Sequence, residues 1–273
     1  MALTIDQAFI RQFESEVHMA YQRMGSKLRN TVRFKGNVTG KSTTFQKVGR
    51  GAAATKSRHG NLPVMNIDHS NVECTLADFY ASDYVDKLDE LKINIDERQI
   101  VASSAAYSLG RKSDDLILTA ADSTSNTITE ASTDGLTQTK INTVFEYFGT
   151  NDVPDDGERY FVISPAGWVD LLGISAFSDA DFVGSDDLPY KGGMVAKRWL
   201  GFMWMTHSGL PVASTIRKCF AYHRSAIGLA SGQDVSTEVN YIPEKAAHLV
   251  TSMMSQGSVL IDANGAYEVQ IKE

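Results

Sequence analysis

One stretch constrains this chain more than any other. From Val17 to Ile67 it carries no Asp or Glu, while Arg23, Lys27, Arg29, Arg33, Lys35, Lys41, Lys47, Arg50, Lys56 and Arg58 supply ten of its 26 positive charges. All 33 acids therefore lie elsewhere with the other 16 cations, a balance of −17 outside the window against −7 for the whole chain. Compact surfaces usually intersperse both signs, so segregation on this scale predicts an arm that meets a negative partner. Nucleic acid, a membrane surface and the protein's own acidic remainder all fit that description.

The same window is poorly equipped to build a core. Gly36, Gly40, Gly49, Gly51 and Gly60 punctuate short β-prone pieces, Thr31 to Phe34 and Ser42 to Gln46. Ala52 to Ala54 and Ser57 to Asn61 read as a mobile tip, and Asn71 to Tyr80 alternates as a returning strand. The pattern predicts a long β-hairpin over 31–80. With little apolar surface of its own, such a hairpin is marginal alone and must lie on something.

Around it the chain reads as α+β. Ile5, Phe9, Phe13, Val17, Tyr21, Met24 and Leu28 recur at helical spacing, with a weak point at Gly25-Ser26. Ser82 to Leu91 reads as a short acidic helix. A longer helix is predicted from near Asn94, paired with Glu97 at capping-box spacing, to about Asp122, with a small-residue interior over Ile100 to Tyr107. Ser123 to Thr139 is a polar connection, and Ile141, Val144, Phe145 and Phe148 mark another helix. Tyr160 to Ile163 predicts a strand, and Ser164-Pro165 an N-cap and first-turn proline opening a helix through Leu172. Asp179 to Lys191 is an acidic loop. Strands follow at Phe202 to Met205, Cys219 to Tyr222, Val235 to Ile242, Ala246 to Met254, and Ser258 to Ile271 with a break at Asn264-Gly265.

No catalytic constellation stands out. Gly36 to Thr43 superficially resembles a phosphate loop, but three residues rather than four separate Gly36 from Gly40, and Ser42 to Phe45 favour a strand where a helix should begin. A hairpin turn is the expectation there, with no nucleotide binding. The six histidines form no metal-ligand pair, and alternation places His69 and Cys74 on opposite strand faces. Asp155-Asp156 and Asp186-Asp187 read as solvated turns. Neither cofactor nor metal is expected. Cys74 and Cys219 read as reduced thiols of a protein made in the cytoplasm, and no 18-residue apolar run predicts a membrane span. The basic window offers few aromatic rings, which speaks against single-strand binding by stacking and leaves simple phosphate attraction open.

The order of parts resembles the major capsid protein of tailed phages, the Hong Kong 97-type fold. Ala105 to Asp115 is similar to the end of its spine helix, and Tyr160 to Pro165 to the axial-domain strand that runs into a helix. Gly201 to Met205 through Gly209-Leu210-Pro211, Ala221 to Ala230 and Gly257 to Asp262 continue the pattern. The resemblance implies five parts: an N-terminal arm over 1–30, an E-loop hairpin over 31–80, a peripheral domain with spine helix over 81–135, an axial domain over 136–234, and a closing hairpin over 235–273. It implies a structural protein forming hexamers and pentamers of an icosahedral shell around double-stranded DNA. Portal and scaffolding proteins, and a decoration protein, are the further partners it suggests. No charged N-terminal extension marks a fused scaffold, so a separate one is expected.

Under that resemblance Arg33, Lys35, Lys41, Lys47, Arg50, Lys56 and Arg58 of the hairpin are expected to face a neighbouring subunit. Their expected partners are Asp83, Asp86, Asp89, Glu90, Asp96 and Glu97 of the peripheral domain. Two other classes stay open: an encapsulin-like cellular shell, and a small enzyme whose site the sequence does not reveal.

Overall fold

The computed structural model describes residues 22–90, 96–128, 134–179 and 193–273. The predicted first helix, up to Tyr21, and the acidic loop beyond Asp179 lie outside the described residues.

Thirteen strands and five helices are described, and two sheets organise them. The first has four strands in the order β1 (Arg33–Lys35), β11 (Ile227–Ile242), β12 (Ala247–Leu260) and β4 (Ala77–Asp86). The long helix α2 (Glu97–Asp122) packs along it through Ala105, Leu109 and Ser113, whose hydroxyl donates to Gln256 Oε1 on β12 at 2.6 Å. The second sheet has seven strands. Its main path runs β5 (Thr127–Ile128), β13 (Ala266–Lys272), β10 (Ile216–His223), β6 (Arg159–Ile163), β8 (Phe202–Thr206) and β7 (Lys197–Trp199), with β9 (Val212–Ala213) also on β10. The last 39 residues thus divide between the sheets, β11 and β12 in one and β13 in the other.

Alternation sets what covers each face of the larger sheet. Phe161, Phe202 and Trp204 share one face: the Phe161 and Trp204 rings stack at 4.1 Å, and Phe148 of α3 (Gln138–Thr150) meets Phe202 edge-on at 5.2 Å. Tyr160, Phe220 and Tyr222 lie opposite, where the Tyr222 hydroxyl meets Thr31 Oγ1 at 2.6 Å. Ser164 caps α4 (Pro165–Leu172) by accepting from the Gly167 N–H, as the Ser-Pro pair predicts.

Several sequence expectations are corrected. The segment Ser82 to Leu91 is largely strand: β4 continues through Asp86, because it pairs with β12 along its whole length, and only α1 (Lys87–Glu90) is helical. The cap of α2 is Asp96, whose carboxylate accepts from the Gln99 N–H; Asn94, where the helix is expected to begin, lies outside the described residues. Residues 31–80 are not one hairpin. β1 leaves to pair in parallel with β11, so Gly36 to Lys41 is a connection and not a hairpin turn. The hairpin proper is β2 (Ser42–Val48) with β3 (His69–Thr75), and the returning strand breaks at Leu76 before β4. β5 lies inside the stretch read as a polar connection.

Asp114 joins the parts. It is fully buried on α2 and accepts from Ser26 Oγ at 2.5 Å and from the Lys27 and Leu28 N–H groups at 3.1 Å, with His207 Nε2 at 3.0 Å. Burial alone would raise its pKa, but the hydrogen bonds from His207, Ser26, Leu28 and Lys27 outweigh that and hold the carboxyl below the ordinary range. Gly110 lets the segment come this close, since a Cβ there would stand 2.6 Å from Gly25 Cα. Gly25 itself sits at φ +72°, which halts any helix before Ser26.

Two outcomes follow. Gly110→Ala costs ~1–3 kcal/mol by overpacking, although alanine favours helices. Gly149→Ala, with nothing within 4 Å of its new Cβ, gains up to ~1 kcal/mol; urea melts of both variants should give opposite signs. Asp114→Asn loses several kcal/mol at neutral pH, since each buried donor left unmatched costs ~1–3 kcal/mol. Because the native pKa is depressed, that contribution is full above the unfolded value of about 3.9 and fades as pH falls through the lower native value. The wild-type advantage over Asp114→Asn should therefore shrink on acidification below about pH 3.9, measured as urea midpoints.

Candidate functional site: the projecting hairpin

A short apolar cluster roots the hairpin. Phe45 and Cys74 lie on one face of the ribbon and pack with Ala230 and Ile261, with Val38, Leu76 and Val259 beside them. The Phe45 ring covers Gly228, where a Cβ would come within 2.8 Å of it. Gly257 brings β12 against the β3–β4 junction, since a Cβ there would lie 2.1 Å from the Thr75 carbonyl oxygen. Burial raises the Cys74 thiol, and pushes that of Cys219 up to about 12, so both are inert core thiols.

Beyond the root the ribbon runs out of partners. The Gly49 N–H donates to Asp68 O at 2.7 Å and closes the ladder. From Arg50 to Asp68 every residue is exposed except Gly60 and Ile67, which are half-buried. A turn closed by Gly60 N–H to Ser57 O at 3.1 Å sits at the tip.

The seven cations expected to face a neighbour separate into three groups. Arg33 and Lys35 serve the root: the Arg33 guanidinium stands 5.6 Å from the Phe45 ring centroid, and Lys35 Nζ donates to Thr43 Oγ1 at 2.7 Å. Lys47 and Arg50 reach across to the far side of the same chain, Lys47 to Asp262 at 2.8 Å and Arg50 to Asp152 at 3.0 Å and to Asn151 O at 2.6 Å. Lys41, Lys56 and Arg58 are exposed, the last two at the tip. Within the chain, then, the stem cations meet Asp262 and Asp152, neither of which belongs to the acidic set named from sequence.

That acidic set lies along β4 and the start of α2. Asp83 and Asp86 are exposed and accept from the nearby Tyr84 and Leu88 N–H groups. Asp96 is the exposed cap and Glu97 is half-buried in the first turn. Asp89 and Glu90 fall in α1, their side chains outside the described residues.

Asp156, which the sequence places with Asp155 in a solvated turn, belongs to a cluster beside the stem. Asp156, Glu158 and His223 place ligand-type atoms within 4.8 Å of one another. Each is already engaged: His223 Nε2 lies 3.1 Å from Asp156 Oδ1, and Arg224 Nη1 donates to Glu158 Oε1 at 2.6 Å. The Glu158 N–H, ahead of the imidazole, holds the Asp156 carboxyl below its ordinary range. Sixty-seven residues separate Asp156 from His223, and only the β6–β10 pairing brings them together; no local motif could have signalled it.

Solved structures place this architecture. The chain matches the capsid of cyanophage P-SCSP1u at TM-score 0.78 and 18% identity, covering 98% of this chain and 94% of that one. It matches a chain of Mycobacterium phage Che8 at TM-score 0.73 and 13% identity over 97% and 98%. For the cyanophage Pam1 capsid the values are 0.72 and 14%, over 99% and 98%. At such identities the likeness defines the fold, that of Hong Kong 97-type phage capsid proteins. No curated protein matches in sequence. The model of the phage capsid protein family matches residues 5–273, so the chain belongs to that family. It is a structural protein of the virion capsid, not an enzyme, and associates with itself to form the shell. The match supports a phage shell over a cellular compartment.

The contact between stem and chain has a measurable signature. Exposed ion pairs contribute ~0–1 kcal/mol each, so removing both with Asp152→Asn and Asp262→Asn should speed tryptic cleavage after Arg50 by no more than about thirtyfold. The difference should vanish in 1 M salt, where screening leaves little of either pair. An unchanged rate at low salt would assign the hold to the Phe45 root alone.

Proposed function

We propose that this chain is the repeating subunit of hexamers and pentamers in a closed icosahedral shell around double-stranded phage DNA. Assembly takes place in the host cytoplasm, with a separate scaffolding protein and a portal as partners and packaged DNA touched without sequence preference. A decoration protein is a further partner that the family resemblance suggests. In this reading β2–β3 and its tip are the E-loop, α2 is the spine helix with β4, β11 and β12 as the peripheral sheet, and the seven-stranded sheet is the axial domain. The observation that carries it is the tip: nineteen successive residues, Arg50 to Asp68, leave the ladder with almost no burial. A segment that buries nothing in its own subunit gains stability only against another.

The tip cations Lys56 and Arg58 then meet the acidic edge of a neighbour at Asp83, Asp86, Asp89, Glu90, Asp96 and Glu97, while Arg33, Lys35, Lys41, Lys47 and Arg50 line the approach. Each pair is weak, but repetition at every interface multiplies its effect on register and encounter rate. The test is expression with a scaffolding partner but without phage DNA, followed by negative-stain microscopy. Wild type should give closed shells, and Lys56→Glu with Arg58→Glu should leave folded subunits that do not close. Adding Asp86→Lys, Asp89→Lys and Glu90→Lys should restore closure. Normal empty shells from the reversed variant, with failure only at genome packaging, would assign those cations to DNA instead.

A further inference from the structure

The tip carries more than charge. Leu62, Val64 and Met65 expose 77%, 79% and 49% of their surface, with the rigid Pro63 between the first two, and Met65 folds back over Gly51. Apolar side chains this exposed and this close together mark a contact surface. The chain also holds a groove suited to receive them. Between β4 and α2 lies a cavity of about 350 Å³, lined by Ala81, Ser104, Ala105 and Ser108 with Ile100 and Val101 alongside. Asp83 lines it too, and Asp96 and Glu97 stand just beyond it at the start of α2.

We propose that Leu62 and Val64 are the anchor of the intersubunit contact and seat in the β4–α2 groove of a second copy of this chain. Charge selects that occupant. The tip holds Lys56 and Arg58 and no acid before Asp68, while Asp83 lines the groove and Asp96 and Glu97 stand just beyond it. Within the chain Arg50 ties the stem to Asp152 and Asn151, and no residue of the tip lines this groove. In this arrangement the ionic rim steers and registers the approach, and the apolar plug, excluded from water, holds the contact. The anchor rests on the shell-subunit reading above and specifies which surfaces meet.

Two experiments on the full-length chain test it. Leu62→Ala with Val64→Ala should keep the wild-type melting temperature, since neither side chain is buried in the subunit, and should lower shell yield more than about tenfold. That loss should persist at high salt, where the effect of Lys56→Glu with Arg58→Glu fades. In assembled shells, Leu62→Cys with Ser104→Cys should oxidise to a ladder of linked subunits on non-reducing gels; native Cys74 and Cys219 are buried and do not compete. Well-formed shells with no ladder, a bond closed within one chain, or a ladder from Leu62→Cys with Tyr84→Cys instead would overturn the groove assignment. Failure of wild type to form shells even with a scaffolding partner present would instead overturn the closed-shell reading, so the two failures are distinguishable.

Discussion

A single buried carboxylate holds the two halves of this subunit in register. Asp114 sits on the helix that backs the four-stranded sheet, receives the N–H groups of Lys27 and Leu28, and meets His207 just beyond β8 of the seven-stranded sheet. Three parts of the chain that share no strand pairing converge on its two oxygens. Buried charge is tolerable only where hydrogen bonds replace water, so the segment, helix and sheet must be placed together for the fold to close. Gly110 and Gly25 make the approach sterically possible.

The division of charge takes on a mechanical sense once the hairpin is placed. Cations nearest the root are used within the chain, over Phe45 and across to Asp262 and Asp152, and those furthest out are free of the subunit's own core. An arm without acids cannot fold back on itself through ion pairs of its own. Its cations find acids only outside the window, as Lys47 does at Asp262 and Arg50 at Asp152. The stem is aligned by its own chain, and the tip is not.

Much of this was legible from residue pattern, and the failures have physical causes. Ser164-Pro165 announced α4 because cap and proline act locally. The Gly-rich basic window announced a projecting hairpin because composition alone denies it a core. Ser82 to Asp86 was misread because strand pairing to β12 overrode an acidic, helix-like composition. β1 was assigned to the hairpin because its partner, β11, lies almost two hundred residues away. Nothing in the residue pattern singles out Leu62 and Val64. Their significance depends on exposure, which periodicity does not report in a segment without period. The groove between β4 and α2 had one visible trace, the small residues around Ser104 and Ala105.

The hairpin root has a consequence best stated as leverage. Phe45 under Gly228 and Thr75 against Gly257 grip the ribbon at its base within a few residues, while Leu62 lies far beyond them along the ribbon. A fulcrum that short multiplies any rotation at the base into a much larger excursion at the far end. Gly228 of β11 and Gly257 of β12, both buried, therefore bear on where the tip points. A methyl group added at Gly257 would move Leu62 further than it moves anything beside it.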